Sequence, residues 1–133
     1  MRNAIIIFTT LTLAGCITQS TDTSPEAGAL AFQQDCASCH GSDARGEGDF
    51  GRTLIRVPPD LTTLTQRYGG AFPRDFVMST IDGYTRGDHF SPAMPEFGAG
   101  DMGATVIVEQ DGIGTPVPAR LLALANYLES IQR

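Results

Sequence analysis

The stretch Cys36-Ala37-Ser38-Cys39-His40 decides how this 133-residue chain folds and what it holds. Its two thiols stand three positions apart, and an imidazole directly follows the second thiol. This spacing lets the thiols add to the two vinyl groups of one haem while the histidine binds the iron. The stretch therefore predicts a covalent haem c, one per chain, with iron and with His40 as an axial ligand.

Three other interpretations of the two thiols remain open on the pattern alone. A thioredoxin-like redox pair is expected beside a βαβ pattern, and the sequence has none around these cysteines. A zinc site needs four ligands, and the chain offers no second cysteine and histidine pair. A disulfide between Cys36 and Cys39 would close a loop too short to gain much stability. Haem attachment is the interpretation that the pattern favours.

Residues 1–15 predict a secretion signal that is not part of the fold. Arg2 supplies a short positive region, and the apolar stretch 4–13 is too short to span a bilayer. The run Leu13-Ala14-Gly15-Cys16 resembles the bacterial lipoprotein signal, in which the cysteine becomes the new N-terminus and carries the lipid. An ordinary cleaved signal is the alternative. Both export the chain, and export agrees with haem attachment, which in bacteria takes place outside the cytoplasm.

Charge excludes one class of partner. The formal net charge is −6, and removing Arg2 without any acid makes it −7. Every basic side chain is arginine, and the chain has no lysine. Such an acidic surface lacks the basic footprint that nucleic acids need, and anionic lipid would repel it. A lipid on Cys16, rather than surface charge, would therefore hold the protein at a membrane. The charge either steers the protein towards a basic partner or keeps it soluble.

Residues 16–24 predict a flexible tether, and residues 25–133 predict one domain. Ser24 and Pro25 are typical of a helix start, and the helix should run to about Ser38. Gly28 and Phe32 share its face with the first thiol, so close packing against another helix is expected.

Shorter elements follow. Asp60 can cap a short helix, and another should begin at Pro73 or Arg74 and stop at Gly83, with Phe76, Val77, Thr80 and Ile81 facing inward. Residues 106–108 favour a strand that pairs with Ile113 across a turn at Asp111 and Gly112. A clear amphipathic helix begins at Pro118. Its core positions are Leu121, Leu124, Ala125, Leu128 and Ile131.

The order of these features resembles that of the small soluble cytochrome c family. The matching positions are Gly28, Phe32, Cys36 to Gly41, Pro59-Asp60-Leu61, Met94-Pro95, Leu124, Tyr127 and Leu128. The resemblance implies an all-α fold of about four short helices around a covalent haem, with the N- and C-terminal helices crossing at Gly28. It also implies that His40 is the proximal ligand and that its other ring nitrogen donates to the Pro59 carbonyl.

The distal ligand has several candidates. Met94 stands in a proline-stiffened loop that resembles the family's ligand loop, and it is the predicted ligand. His89 is the alternative. Met78 is expected to be filler in a helix, and Met102 is expected to lie in an open loop.

The predicted function is electron transfer by a membrane-tethered monohaem c-type cytochrome, not enzymatic catalysis. With histidine and methionine on the iron, no site stays free for a substrate. The expected partners are a periplasmic dehydrogenase or reductase and a respiratory complex or oxidase. The alternatives are a peroxidase-like haem enzyme or sensor with an open distal site, and a lipoprotein without haem. Residues 98–116 look inserted relative to the family pattern, and their role is open.

Overall fold

The computed structural model of the protein describes residues 20–84, 93–110 and 112–133. The predicted signal segment, Cys16 and His89 lie outside these residues. The helices are α1 (Pro25–Asp35), α2 (Ala37–His40), α3 (Leu64–Arg67), α4 (Arg74–Asp82) and α5 (Ala119–Ser130), and the strands are β1 (Thr105–Gln110) and β2 (Ile113–Pro118). Short 3-10 turns span Gly51–Thr53, Leu61–Thr63 and Phe97–Ala99. The predicted mainly helical fold is confirmed, with a small sheet added.

The first helix begins where its cap predicts but ends early. The Ser24 hydroxyl accepts a hydrogen bond from the Ala27 N–H at 3.2 Å, which satisfies one free donor of the first turn. The prediction that the helix runs to about Ser38 was wrong, because α1 ends at Asp35. At Cys36 the backbone leaves the regular helix with φ −117°, and a separate turn, α2, carries the rest of the motif.

Helices α1 and α5 cross at Gly28, as predicted. A Cβ atom on Gly28 would lie 2.0 Å from the Ala123 carbonyl oxygen and 2.7 Å from the Tyr127 Cβ. Next to the crossing, the rings of Phe32 and Tyr127 have centroids 5.3 Å apart, and Phe32 is only 1% exposed. The missing side chain thus allows the two backbones to approach and to bury an aromatic pair.

The core combines the inner faces of α1, α4 and α5. The predicted stripe of α5 is buried at Leu121, Leu124, Ala125 and Leu128, and Ile131 is half-buried beyond the helix end. Of the α4 residues predicted to face inward, Val77 and Ile81 are buried, but the prediction was wrong for Phe76. In α4 the inward stripe is formed by Val77 and Ile81, four residues apart, so Phe76 turns outward and is 42% exposed. Its ring lies against that of Tyr68.

The segment that looks inserted contains an antiparallel hairpin. Strand β1 pairs with β2, with Gln110 opposite Ile113, which confirms the predicted pairing. Asp111 of the turn lies outside the described residues. Val117 of β2 is buried, and Met102, just before β1, is only 8% exposed. The prediction that Met102 lies in an open loop was therefore wrong, because the hairpin brings this segment back onto the core.

Among the described helices, none has both the length and the apolar character that a bilayer crossing requires.

Candidate metal centre

The two thiols of the motif lie at the junction of α1 and α2. Cys36 and Cys39 are both half-buried and both free, so no disulfide joins them in the structure. Burial, reinforced by the neighbouring Asp35 carboxylate, raises the pKa of the Cys36 thiol to about 12. This thiol is therefore protonated at neutral pH, unlike the lowered-pKa cysteine of a redox pair.

A glycine-rich loop after the motif holds the backbone of α2 in place. The Gly46 N–H donates to the His40 carbonyl at 2.7 Å. A Cβ atom on Gly51 would lie 2.1 Å from the Cys39 carbonyl oxygen, and one on Gly48 would lie 2.4 Å from that of Ser38. Sequence reasoning alone does not identify this positioning role. The signal was present in the repeated glycines directly after the motif.

His40 is half-buried, and one of its ring nitrogens is buried without a hydrogen-bond partner in the part of the chain that the structure describes. Its Nδ1 is inaccessible to solvent and makes no hydrogen bond of good geometry with the described residues. Burial lowers the pKa of His40, and the Pro59 backbone carbonyl raises it in part, which identifies Pro59 as the acceptor beside the ring. A neutral ring with its proton on Nδ1 towards Pro59 would leave Nε2 for a metal. The histidine thus fits the predicted role of an axial ligand.

Comparison with known proteins agrees with this geometry. The family model for cytochrome c matches residues 25–111. The chain belongs to the cytochrome c family. The family carries a covalently bound haem c with iron and serves haem-based electron transfer. No curated protein and no solved structure gives a significant match to the chain.

The family match ends inside the hairpin of this cytochrome c, before α5. The contact between α1 and α5 is therefore a result of the structure rather than of the match. This contact confirms the crossing of the first and last helices that the resemblance implied.

Met94 lies half-buried against the same hydrophobic core as Cys36 and Leu61. The predicted distal ligand and the first thiol thus both pack against this core. Met78 is half-buried filler on α4, as expected, and Met102 is part of the core itself. Ligation by Met94 remains a prediction. In the described parts of the chain, no three acidic, histidine or cysteine side chains gather as a further metal site.

The segment that carries Pro59 is held by a polar cluster around Asp60. The Asp60 carboxylate accepts from the Thr62 hydroxyl at 2.6 Å and from the Thr62 N–H at 2.8 Å, which confirms the predicted cap. The Arg133 guanidinium lies 2.8 Å from the same carboxylate. The Thr62 hydroxyl first, and then the Thr62 N–H and Arg133, lower the pKa of Asp60 below its ordinary 3.8.

This cluster predicts a pH dependence of stability. Because the pKa of Asp60 is lowered in the folded protein, its stabilising contribution is complete above the ordinary value and is lost as the pH falls through the folded-state pKa. Wild-type protein should melt a few degrees above the Asp60→Asn variant at neutral pH, and the gap should close below about pH 4. Thermal melts from pH 7 to pH 2 would check this, and a constant gap would contradict it.

Proposed function

We propose that the protein is a monohaem electron carrier. One haem would be attached through Cys36 and Cys39, with His40 and Met94 as axial ligands. The single observation that supports this most is the half-buried His40 ring, whose buried Nδ1 lies beside Pro59 and which directly follows two free thiols. When bound, the haem iron supplies a one-electron couple.

The protein's own part is to hold ligands and exclude water. The loop that contains Gly46 and Gly51 fixes the backbone under the thiols. The Met94 side chain rests on the core, which limits the freedom it loses on binding metal. Pairing a thioether with an imidazole favours the reduced state and so raises the reduction potential.

The proposed location is the periplasmic side of a membrane, with a lipid on Cys16 as the anchor. Support comes from the sequence Leu13-Ala14-Gly15-Cys16 and from the polar residues that separate it from α1. The proposed partners are a periplasmic dehydrogenase or reductase on one side and a respiratory complex or oxidase on the other. An acidic chain without lysine would suit basic docking surfaces and would not suit nucleic acid.

Mass spectrometry of the exported full-length protein tests these points together. The mass should include one haem, retained after denaturation, and a lipid with loss of residues 1–15. The Cys36→Ser, Cys39→Ser double variant should lose the haem and keep the lipid. The Cys16→Ser variant should lose the lipid and keep the haem. Wild-type protein without covalent haem would contradict the proposed function, whereas wild-type protein without lipid would contradict only the anchor.

A further inference from the structure

Arg133 binds the segment after Pro59 with both its side chain and its backbone. Its guanidinium donates to the Asp60 carboxylate and to the Thr62 hydroxyl, each at 2.8 Å. Its backbone N–H donates to the Thr62 carbonyl at 3.1 Å. Thr62 is only 5% exposed, so this is a built contact with a buried polar residue rather than a loose surface pair.

Gln132 reinforces the same attachment from the neighbouring position. Its side-chain oxygen accepts from the Thr65 N–H at 2.9 Å. Its amide nitrogen donates to the Leu61 carbonyl at 2.9 Å. The Gln66 side chain in turn donates to the Arg133 carbonyl at 2.6 Å. Gln132 and Arg133 together form what we call the 132–133 clasp, which holds residues 60–66.

The segment that the clasp holds begins one peptide unit after Pro59, whose carbonyl is the acceptor beside His40. The Pro59 carbonyl carbon is bonded directly to the Asp60 nitrogen, and the Asp60 carboxylate is tied to Thr62 and Arg133. A displacement of the Pro59 carbonyl away from His40 is therefore coupled to Asp60 and to the clasp. A hydrogen bond from the second ring nitrogen of a metal-binding histidine orients the ring and raises its basicity.

We propose that Gln132 and Arg133 are positioning residues for the axial histidine, because they fix the backbone that directly follows the Pro59 carbonyl, the acceptor available to the buried Nδ1 of His40. The inference rests on the proposed function, in which His40 binds the haem iron. It assigns to a distant pair of side chains the control of how strongly His40 donates to the metal. Neither residue touches the ring, so the effect passes through the backbone of residues 59–62.

The test compares Arg133→Gln with Arg74→Gln in the haem-loaded full chain. Arg74 is the matched control, since it forms a comparable half-exposed ion pair with Glu129 and a hydrogen bond to Asn126, both on α5. The readouts are the reduction potential and the solvent-exchange rate of the His40 Nδ1 proton, followed by NMR in the reduced protein. In the haem-loaded protein, a Pro59 carbonyl that is held less firmly would accept more weakly from Nδ1 and lower the basicity of the ring, so the potential of Arg133→Gln should rise.

Exchange of that proton should become at least about tenfold faster in Arg133→Gln, which corresponds to about 1.4 kcal/mol less opening free energy. Arg74→Gln should change neither readout, although it too loses a tertiary ion pair. Thr62→Val keeps the side-chain shape and removes the bridging hydroxyl, so it should give smaller shifts in the same direction. This variant carries the test if Arg133→Gln folds poorly.

The outcomes distinguish a failure of the positioning role from a failure of the proposed function. Equal shifts in the Arg133 and Arg74 variants, or unchanged readouts in both Arg133→Gln and Thr62→Val, would overturn the positioning role while leaving the electron carrier intact. A wild-type protein without covalent haem would overturn the proposed function and the inference with it.

Discussion

Replacing Met94 with alanine should abolish the near-infrared sulfur-to-iron charge-transfer band of the ferric protein. It should also lower the reduction potential by on the order of 0.1 V, since thioether ligation is what raises it. Loss of the ligand would open one face of the metal, so the variant should bind cyanide and carbon monoxide readily. Absorption spectroscopy and a potentiometric titration measure all three effects on one sample.

Met102→Ala is the matched control, because it removes the same side chain from a more buried position. It should cost about 2–5 kcal/mol of unfolding free energy by leaving a cavity, yet the band should remain. If the band survives in Met94→Ala and disappears in Met102→Ala, the ligand has been assigned to the wrong methionine. A wild-type spectrum without the band would direct attention to His89. A high-spin wild-type protein that binds cyanide rapidly would favour the enzyme or sensor alternative.

The substitution Gly28→Ala should destabilise the protein by about 3 kcal/mol or more, although alanine is the better helix former. The new Cβ would lie 2.0 Å from the Ala123 carbonyl oxygen, and a backbone atom cannot turn aside as a flexible side chain can. Helices α1 and α5 would have to separate, which would loosen the contact between Phe32 and Tyr127. The melting temperature should fall by roughly 10 °C or more.

Leu30→Ala is the control in the same helix, because Leu30 is 68% exposed and lies away from the crossing. It should change the free energy of unfolding by no more than about 0.5 kcal/mol. Gly28→Ala protein that melts within a degree or two of wild type would show that the helices cross elsewhere.

Much of the fold could be predicted from local chemistry. The cap at Ser24, the stripe of α5 and the strand pairing around Ile113 each follow from short-range patterns, and each is observed. The failures arise where a local pattern leaves more than one arrangement possible. Phe76, Val77 and Ile81 are all apolar and all predicted to face inward, but the orientation of α4 against the core buries only Val77 and Ile81 of the three. An amphipathic pattern limits which residues can face inward, and only tertiary packing selects among them.

The candidate metal centre likewise has a part that the sequence determines and a part that depends on tertiary packing. The sequence by itself determined the attachment motif and its histidine, because covalent bonding to haem requires two thiols and an imidazole at one fixed spacing. Only the tertiary structure decided how that histidine is held. Met102 is buried in the core, and Gln132 and Arg133 hydrogen-bond to Leu61, Asp60 and Thr62, which lie far away in the chain. No spacing rule encodes such contacts, because they exist only once the helices have packed and brought those backbones within hydrogen-bonding distance.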